Sequence, residues 1–315
     1  IPEPRYDVLI PNEAGFSLPK ENLKSDMHRG FDASIMWTDQ INDFNYSVGG
    51  NITYSRFWDW EQYKPRFSNS WDEYRNSIWH RVGYVNSGYE AIGRFDSWEQ
   101  IANYPVDNDR KGNRTVVPGD IMYKDQNNDG VINYLDERPI GYRVDSTPTL
   151  NFGINLSASW KGFDLSIFFQ GVAKRDYWLS GPYMWGANGG MWQSTCFEEH
   201  LDYWRAEDDP LGGNTDAYYP KPYFNTDKNQ QTQTRYLQNA AYIRLKNMQL
   251  GYTLPKTWTK KAGIENVRIY LSGDNLFTLT GISSVFDPEA LGADWGDGKL
   301  YPLQRTISVG LNVNF

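Results

Sequence analysis

Strict two-residue alternation of apolar and polar positions recurs along the chain. Phe31, Ala33, Ile35 and Trp37 alternate with Asp32, Ser34, Met36 and Thr38. After a tight turn at 39–43, Phe44, Tyr46, Val48, Gly50, Ile52 and Tyr54 alternate with Asn45, Ser47, Gly49, Asn51, Thr53 and Ser55. A period of two places successive side chains on opposite faces of a strand, so the spacing predicts a hairpin of two strands, each about ten residues long. Residues 150–160 and 163–170, joined by Lys161-Gly162, predict a second hairpin. Residues 242–253 and 266–276 predict a third, and their connection (254–265) reads as a small helix, with Pro255 early and Gly263 past its end. In the last stretch, 303–315, Ile307, Val309, Leu311, Val313 and Phe315 alternate with Thr306, Ser308, Gly310, Asn312 and Asn314. The fold class is all-β and antiparallel.

One such strand by itself favours a soluble sandwich over a membrane barrel. The connections decide between them. Residues 39–43, 161–162 and 254–265 are short; 57–148, 174–240 and 277–302 are long, and the two kinds alternate along the chain. A meander with short turns at one end and long loops at the other is the plan of a transmembrane antiparallel β-barrel. Strands near ten residues match a tilted bilayer crossing. Seven strands are expected, or eight if 5–10 is the stub of another, and short helices are expected near 97–103 and 197–204. The opening, IPEPRYDVLIPNEAG, lacks the basic and apolar regions of a signal peptide, so the 315 residues are expected to be the C-terminal part of something longer.

Composition agrees with that plan. Aromatic residues make up 16%, with 13 Trp and 22 Tyr, yet the mean hydropathy is −0.68. A polar chain dense in Trp and Tyr suits interfacial girdles or a sugar-stacking surface. Net charge of −8 argues against nucleic acid. Cys196 is the single cysteine, so no disulfide framework is possible within the chain, and it reads as a small apolar filler rather than a nucleophile.

One loop carries chemistry. Asp125, Asn127, Asp129, Val131, Asn133 and Asp136 fall at positions 1, 3, 5, 7, 9 and 12 of a twelve-residue calcium loop, with Gly130 at the sharp turn. A hard cation needs six or seven oxygens, and this spacing wraps them round one point. Asp136 stands where Glu is usual, so closure uses a shorter arm or help from Glu137. The alternative is an Asx-rich turn without metal. Ca2+ is expected as a structural ion stiffening the loop. Elsewhere, His28, His80 and His200 lack zinc-hydrolase spacing, and Glu198, Glu199 and Asp202 beside His200 read as a solvated helix face. Tyr177, Trp178, Tyr183, Trp185, Trp192, Tyr203 and Trp204 could stack on sugars, or serve as girdle or loop packing. No catalytic constellation is evident.

Several blocks in order resemble the C-terminal third of SusC/RagA-type TonB-dependent outer-membrane transporters: 118–141 (PGDIMYKDQNNDGVINYLDERPIG), 150–172, 242–258, 269–280 and 301–315. The resemblance implies the last strands of a 22-stranded barrel, with signal peptide, N-terminal extension and plug lying upstream of this chain. It implies a Gram-negative outer membrane of the Bacteroidetes type, a SusD-like surface lipoprotein as partner, and TonB-ExbB-ExbD acting through the missing part. The cargo would be a large nutrient, most often a glycan and sometimes a peptide, with no chemistry done on it. The rival is a secreted, calcium-stabilised β-rich module that binds or hydrolyses glycans.

Overall fold

The computed structural model describes residues 2–3, 15, 21–62, 66–83, 85–142, 149–178, 196–223, 228–291 and 301–315. The possible strand stub at 5–10 lies outside the described residues. The chain divides into two compact units: residues 1–27, 57–143 and 176–238 form one, and 28–56, 144–175 and 239–315 form the other.

Seven long strands build the main sheet: β1 (Lys24–Ile41), β2 (Phe44–Gln62), β3 (Leu150–Trp160), β4 (Phe163–Ala173), β5 (Tyr242–Thr253), β6 (Asn266–Thr280) and β7 (Thr306–Asn314). Each lies beside its neighbour in sequence, so the sheet is a plain meander. The short turns behave as their residues require. Lys161 and Gly162 both take positive φ, 45° and 92°. Residues 256–262 form the expected helical turns, with Pro255 at the start and Gly263 at φ 71° past the end. The first hairpin differs from expectation. Its strand runs on through Ile41, and the turn is Asn42-Asp43 alone, with Asn42 in the left-handed region at φ 53°. Asparagine tolerates that region better than most residues.

The register converts alternation into two chemically distinct faces. Across β2 to β7, one row reads Val48, Leu156, Ile167, Met248, Gly273 and Ile307. The next reads Tyr46, Ala158, Leu165, Leu250, Leu271 and Val309, and the one beyond it, at the short-turn end, Phe44, Trp160, Phe163, Tyr252, Ile269 and Leu311. The intervening rows, which face the other way, are Ser47, Ser157, Ser166, Gln249, Ser272 and Ser308, then Asn45, Ser159, Asp164, Gly251, Tyr270 and Gly310. Large side chains on the apolar face stay open: Leu271 is 50% exposed and Val309 78%. A core face of a soluble sandwich would be covered. This one is finished in the manner of a lipid-facing wall, with an aromatic-rich row at its edge.

The polar face is kept close-packed by filling the gaps that glycines leave. Gly251 separates Asp164 on β4 from Arg268 on β6; with no side chain between them, the Arg268 guanidinium reaches across to bind both carboxylate oxygens, its Nε 3.0 Å from Oδ1. Likewise the Tyr270 ring lies over Gly310, where any Cβ would meet it at 2.1 Å. A bulge at Lys246 in β5 keeps Leu245 and Met248 on the apolar face while turning Arg244 to the polar side opposite Gln170.

The other unit is irregular but has its own core. Phe95, Ile101 and Val116 are buried, with Tyr104 and Met122 packed against them. Ile101 comes from the expected helix, observed at Trp98–Asn103 and capped by Ser97. The helix expected near 197–204 is only a single 3-10 turn, Glu198–Leu201.

Candidate functional site

The twelve-residue loop is closed by its own acids. Asp125 accepts from the backbone N–H of Asn128 at 2.7 Å and of Gly130 at 2.8 Å. Asp136, fully buried, accepts from Gln126 N–H and Asn133 N–H, both at 2.8 Å, so the last acid ties the loop's exit to its entry. Gly130 takes φ 82° and Asn128 φ 59°, the sharp turn the sequence called for. Asn127 Nδ2 donates to Asp129 Oδ2 at 2.9 Å, and Asn133 Nδ2 lies 3.4 Å from the same oxygen and 3.2 Å from the Val131 carbonyl. These bonds bring the donor groups at positions 3, 5, 7 and 9 together. Asp129 is held below the usual carboxylate range, first by the Asn127 amide and then by Val131 N–H. Apart from Asp129 Oδ2, which both amides approach, each loop carboxylate oxygen retains a second lone pair, and so do Asn127 Oδ1 and Asn133 Oδ1, which each accept one backbone N–H, from Asp129 and Leu135. The donor set therefore fits a hard cation. Among the described residues, no three His, Cys, Asp or Glu side chains gather as a metal cluster, so amide and carbonyl oxygens would have to complete the shell.

A helix missed by the sequence reading docks on this loop. Ser70–Asn76 is capped by Asn69, whose side chain accepts from Asp72 N–H at 2.8 Å. Trp71 Nε1 donates to the Leu135 carbonyl at 2.9 Å, Arg75 pairs with Glu137 at 2.5 Å, and the Arg138 guanidinium lies 4.2 Å from the Trp71 ring centroid. Glu137, the suggested helper in metal closure, is thus engaged with Arg75. The signal for this helix was present in Asn69 followed by Asp72 and Glu73 in the first turn.

Behind the loop, 106–115 makes a second knot. Asp107 N–H donates to the Gly130 carbonyl at 2.8 Å, and Ile132 N–H to the Asp107 carbonyl at 2.9 Å. Burial pushes the Asp109 carboxyl up, but the Thr115 hydroxyl and the N–H groups of Thr115 and Lys111 outweigh it and bring it to about 2.

Residues 228–231 wall two cavities. Lys228 and Gln231 border a polar one of about 340 Å³ with Arg110, Lys111 and Tyr123. Asn229 and Gln230 border an apolar one of about 170 Å³ with Phe197, Tyr203 and Tyr219. The wall is pinned by Asp120, 1% exposed, which takes Lys228 Nζ at 2.6 Å and Asn229 Nδ2 at 2.8 Å. Of the aromatics named from sequence, Tyr203 reaches this cavity; Trp204 is buried against Gly119 and Tyr177 is buried, both as packing. Tyr183, Trp185 and Trp192 lie outside the described residues. His200 borders the apolar cavity and Nδ1 accepts from Phe197 N–H at 2.9 Å; Asp202 accepts from Asn214 and Tyr218. His80 stacks on Trp60, ring centroids 4.2 Å apart. Cys196 is exposed and at the rim of the apolar cavity, not a buried filler.

In the strand-built unit, the connection between β6 and β7 is latched to β5. Arg244 donates to Thr278, to Glu289 at 2.9 Å and to Asp287 at 2.5 Å, while Lys246 reaches Glu289 at 2.8 Å. Asp287 in turn accepts from Leu303 N–H at 3.0 Å, and Arg175 donates to the Pro288 carbonyl.

The class follows first: an antiparallel meander with one apolar, open face and one polar, packed face is a wall of an outer-membrane type β-barrel. The kind follows from its relatives. The chain is 29% identical over 97% of its length to TonB-dependent receptor P3 of Formosa agariphila, and 28% identical over 98% to TonB-dependent receptor P26 of the same organism. It spans 30% and 31% of those proteins. Its fold matches the RagAB peptide transporter (TM-score 0.64, 23% identity, 98% of this chain and 31% of that one) and the RagAB peptide importer in the "open-open" state (TM-score 0.63, 25% identity, 98% and 31%). No family model matches. The chain is thus similar over nearly its whole length to TonB-dependent receptors, spans about a third of their length, and shares the fold of the RagAB structures.

Proposed function

We propose that the whole protein imports a nutrient too large for porins across a Gram-negative outer membrane, driven by TonB-ExbB-ExbD and assisted by a SusD-like surface lipoprotein. The observation that carries this reading is the apolar face that runs in register across β2 to β7 and stays open. Such a face calls for lipid, which counts against a secreted module. The relatives are receptors and transporters by name, and the proposed role is transport without chemistry on the cargo. A peptide or a glycan is the cargo class. Membrane fractionation of the intact source protein tests this: recovery from the outer membrane with a co-purifying lipoprotein supports it, and recovery as a soluble 36.5 kDa species refutes it.

Ca2+ belongs to the same proposal. Asp125, Asn127, Asp129, Val131, Asn133 and Asp136 would hold it, and its charge would replace the amide contacts that now screen Asp129. The ion would stiffen the loop and, through Leu135, Glu137 and Arg138, the helix at 70–76. Hydrogen exchange of the intact receptor with and without chelator tests it: both segments should lose protection together. Unchanged exchange in Asp125→Ala with Asp129→Ala would refute the metal role.

A further inference from the structure

The short-turn end of the sheet carries a group of lysines that the strand pattern does not require. Lys161, in the turn between β3 and β4, brings Nζ to 5.3 Å from the centroid of the Trp160 ring. Trp160 belongs to the aromatic-rich row and is half exposed, so this ammonium stands at the rim of the apolar face. The Gly162 carbonyl accepts from Thr253 N–H at 2.8 Å, which sets the turn beside the connection between β5 and β6. That connection adds Lys256, Lys260 and Lys261, all exposed, with Trp258 65% exposed among them. Thr259 is buried and its carbonyl accepts from Ile264 N–H at 3.2 Å, so the connection is held in place. The acids at this end are Asp39 and Asp43 in the first hairpin and Glu265 after the helical turns. Among the described residues, none of them pairs with any of the four ammonium groups.

The opposite edge of the apolar face fixes the depth. Phe44 and Tyr54 lie ten residues apart on the same face of β2. At about 3.3 Å per residue and a tilt of about 40°, that separation is about 25 Å, the height of the apolar band of a membrane barrel. At the Tyr54 edge, Lys174 Nζ lies 5.9 Å from the Tyr54 ring centroid. Each edge is therefore marked by an ammonium over an aromatic ring. Aromatic bodies with cationic groups beside them suit the boundary between hydrocarbon and water. Lys161, with three further lysines on the adjoining connection, then stands at the level of headgroup phosphates.

We propose that this end of the sheet is a docking surface for anionic phospholipid. Lys161, Lys256, Lys260 and Lys261 hold headgroup phosphates, while Trp160 and Trp258 lie in the interface. The proposal rests on the reading of the apolar rows as lipid-facing and adds a preference among lipids. A zwitterionic headgroup carries its own cation beside the phosphate, which cancels much of the attraction. An anionic headgroup keeps its charge. Each ammonium near an anionic lipid surface contributes about fivefold in affinity, so two lysines on one headgroup favour the anionic lipid by at least about tenfold.

Native mass spectrometry of the detergent-solubilised full-length protein tests the assignment. The probes are phosphatidylglycerol, phosphatidylcholine with the same chains, and the chain-free headgroup glycerophosphoglycerol. Phosphatidylglycerol should bind at least about tenfold tighter than phosphatidylcholine. Excess glycerophosphoglycerol should not displace it, because the chains lie on the apolar rows. Lys161→Gln, Lys256→Gln, Lys260→Gln and Lys261→Gln together should weaken phosphatidylglycerol at least about tenfold and leave phosphatidylcholine unchanged. Lys111→Gln with Lys221→Gln, exposed lysines of the other unit, should change neither; native gel mobility confirms that both variants fold. Equal binding of the two lipids, a preference that survives the four substitutions, or displacement by glycerophosphoglycerol would overturn the proposal. Equal binding of both lipids sinks the docking surface alone. A protein that stays in solution without detergent and holds neither lipid sinks the lipid-facing reading as well.

Discussion

Ile167 offers a direct test of which face meets lipid. It lies mid-row between Leu156 and Met248, four residues along β4 from Phe163 in the aromatic-rich row. Four residues at about 3.3 Å each, on a strand tilted by about 40°, place it about 10 Å below that row. An apolar band about 25 Å tall has its midplane about 12 Å from either edge, so Ile167 sits close to the middle. Arginine at that depth costs about 2–4 kcal/mol, whereas arginine near the edge costs about 0–1. Ile167→Arg should therefore destabilise the intact protein by about 2–4 kcal/mol and Phe163→Arg by about 1 or less. Ser166 and Ser272 lie in a polar row of small side chains, where a guanidinium meets polar neighbours and not lipid, so arginine there should cost clearly less than at Ile167. Guanidinium unfolding in lipid vesicles, followed by tryptophan fluorescence and gel mobility, reads all four. If Ser166→Arg cost as much as Ile167→Arg, or if Ile167→Arg were neutral, the apolar face would not be the lipid face and the barrel reading would fail.

Three further outcomes are expected. Gly310→Val should cost about 1–3 kcal/mol through overpacking, because the Tyr270 ring occupies the space where its Cβ would go; Tyr270→Ala in the same protein should recover much of that loss in a double-mutant cycle. Arg244→Met should cost about 3–5 kcal/mol, since it strands the buried Asp287 carboxylate, and should open 282–291 to limited proteolysis; Lys246→Met, breaking a more exposed pair with Glu289, should cost less than about 1. The Asp109 carboxyl is depressed from 3.8 to about 2, so its ionised form stabilises the fold above about pH 4, and that contribution is lost as pH falls toward 2. Amide exchange across 106–115 should rise over that window in the native protein, and Asp109→Asn should show raised exchange that no longer changes over it.

Legibility followed the origin of each constraint. Where one face must be apolar and the other polar, the period is imposed residue by residue, and β3 and β5 could be bounded from sequence as the structure has them. Local turn and end signals were equally plain, as with Lys161-Gly162 and Gly263. Boundaries failed where that demand stops or is interrupted. β1 begins at Lys24 and β2 runs to Gln62, through Ser55-Arg56 and Asp59, where the residues no longer alternate. β6 was cut short at 276 because Asn275, at φ 52°, breaks the period at an irregularity before the strand resumes to Thr280.

The site was legible in the same partial way. Twelve consecutive residues can advertise a loop, because Asp125 and Asp136 act on neighbours in sequence. The helix at 70–76 has no apolar stripe and is held by Trp71 on a carbonyl 64 residues away. The apolar cavity joins 196–203 to 219–223 and 229–230, and its wall depends on Asp120, more than 100 positions earlier. No window along the chain contains that pairing. A buried Asp-Lys-Asn clamp is needed because 228–231 presents a cavity on each side and so has little apolar packing to fix it. Removing the clamp by Asp120→Ala should therefore loosen both cavities together while leaving the apolar rows of β3 to β7 untouched, since those rows take their order from the face they present and not from the loops.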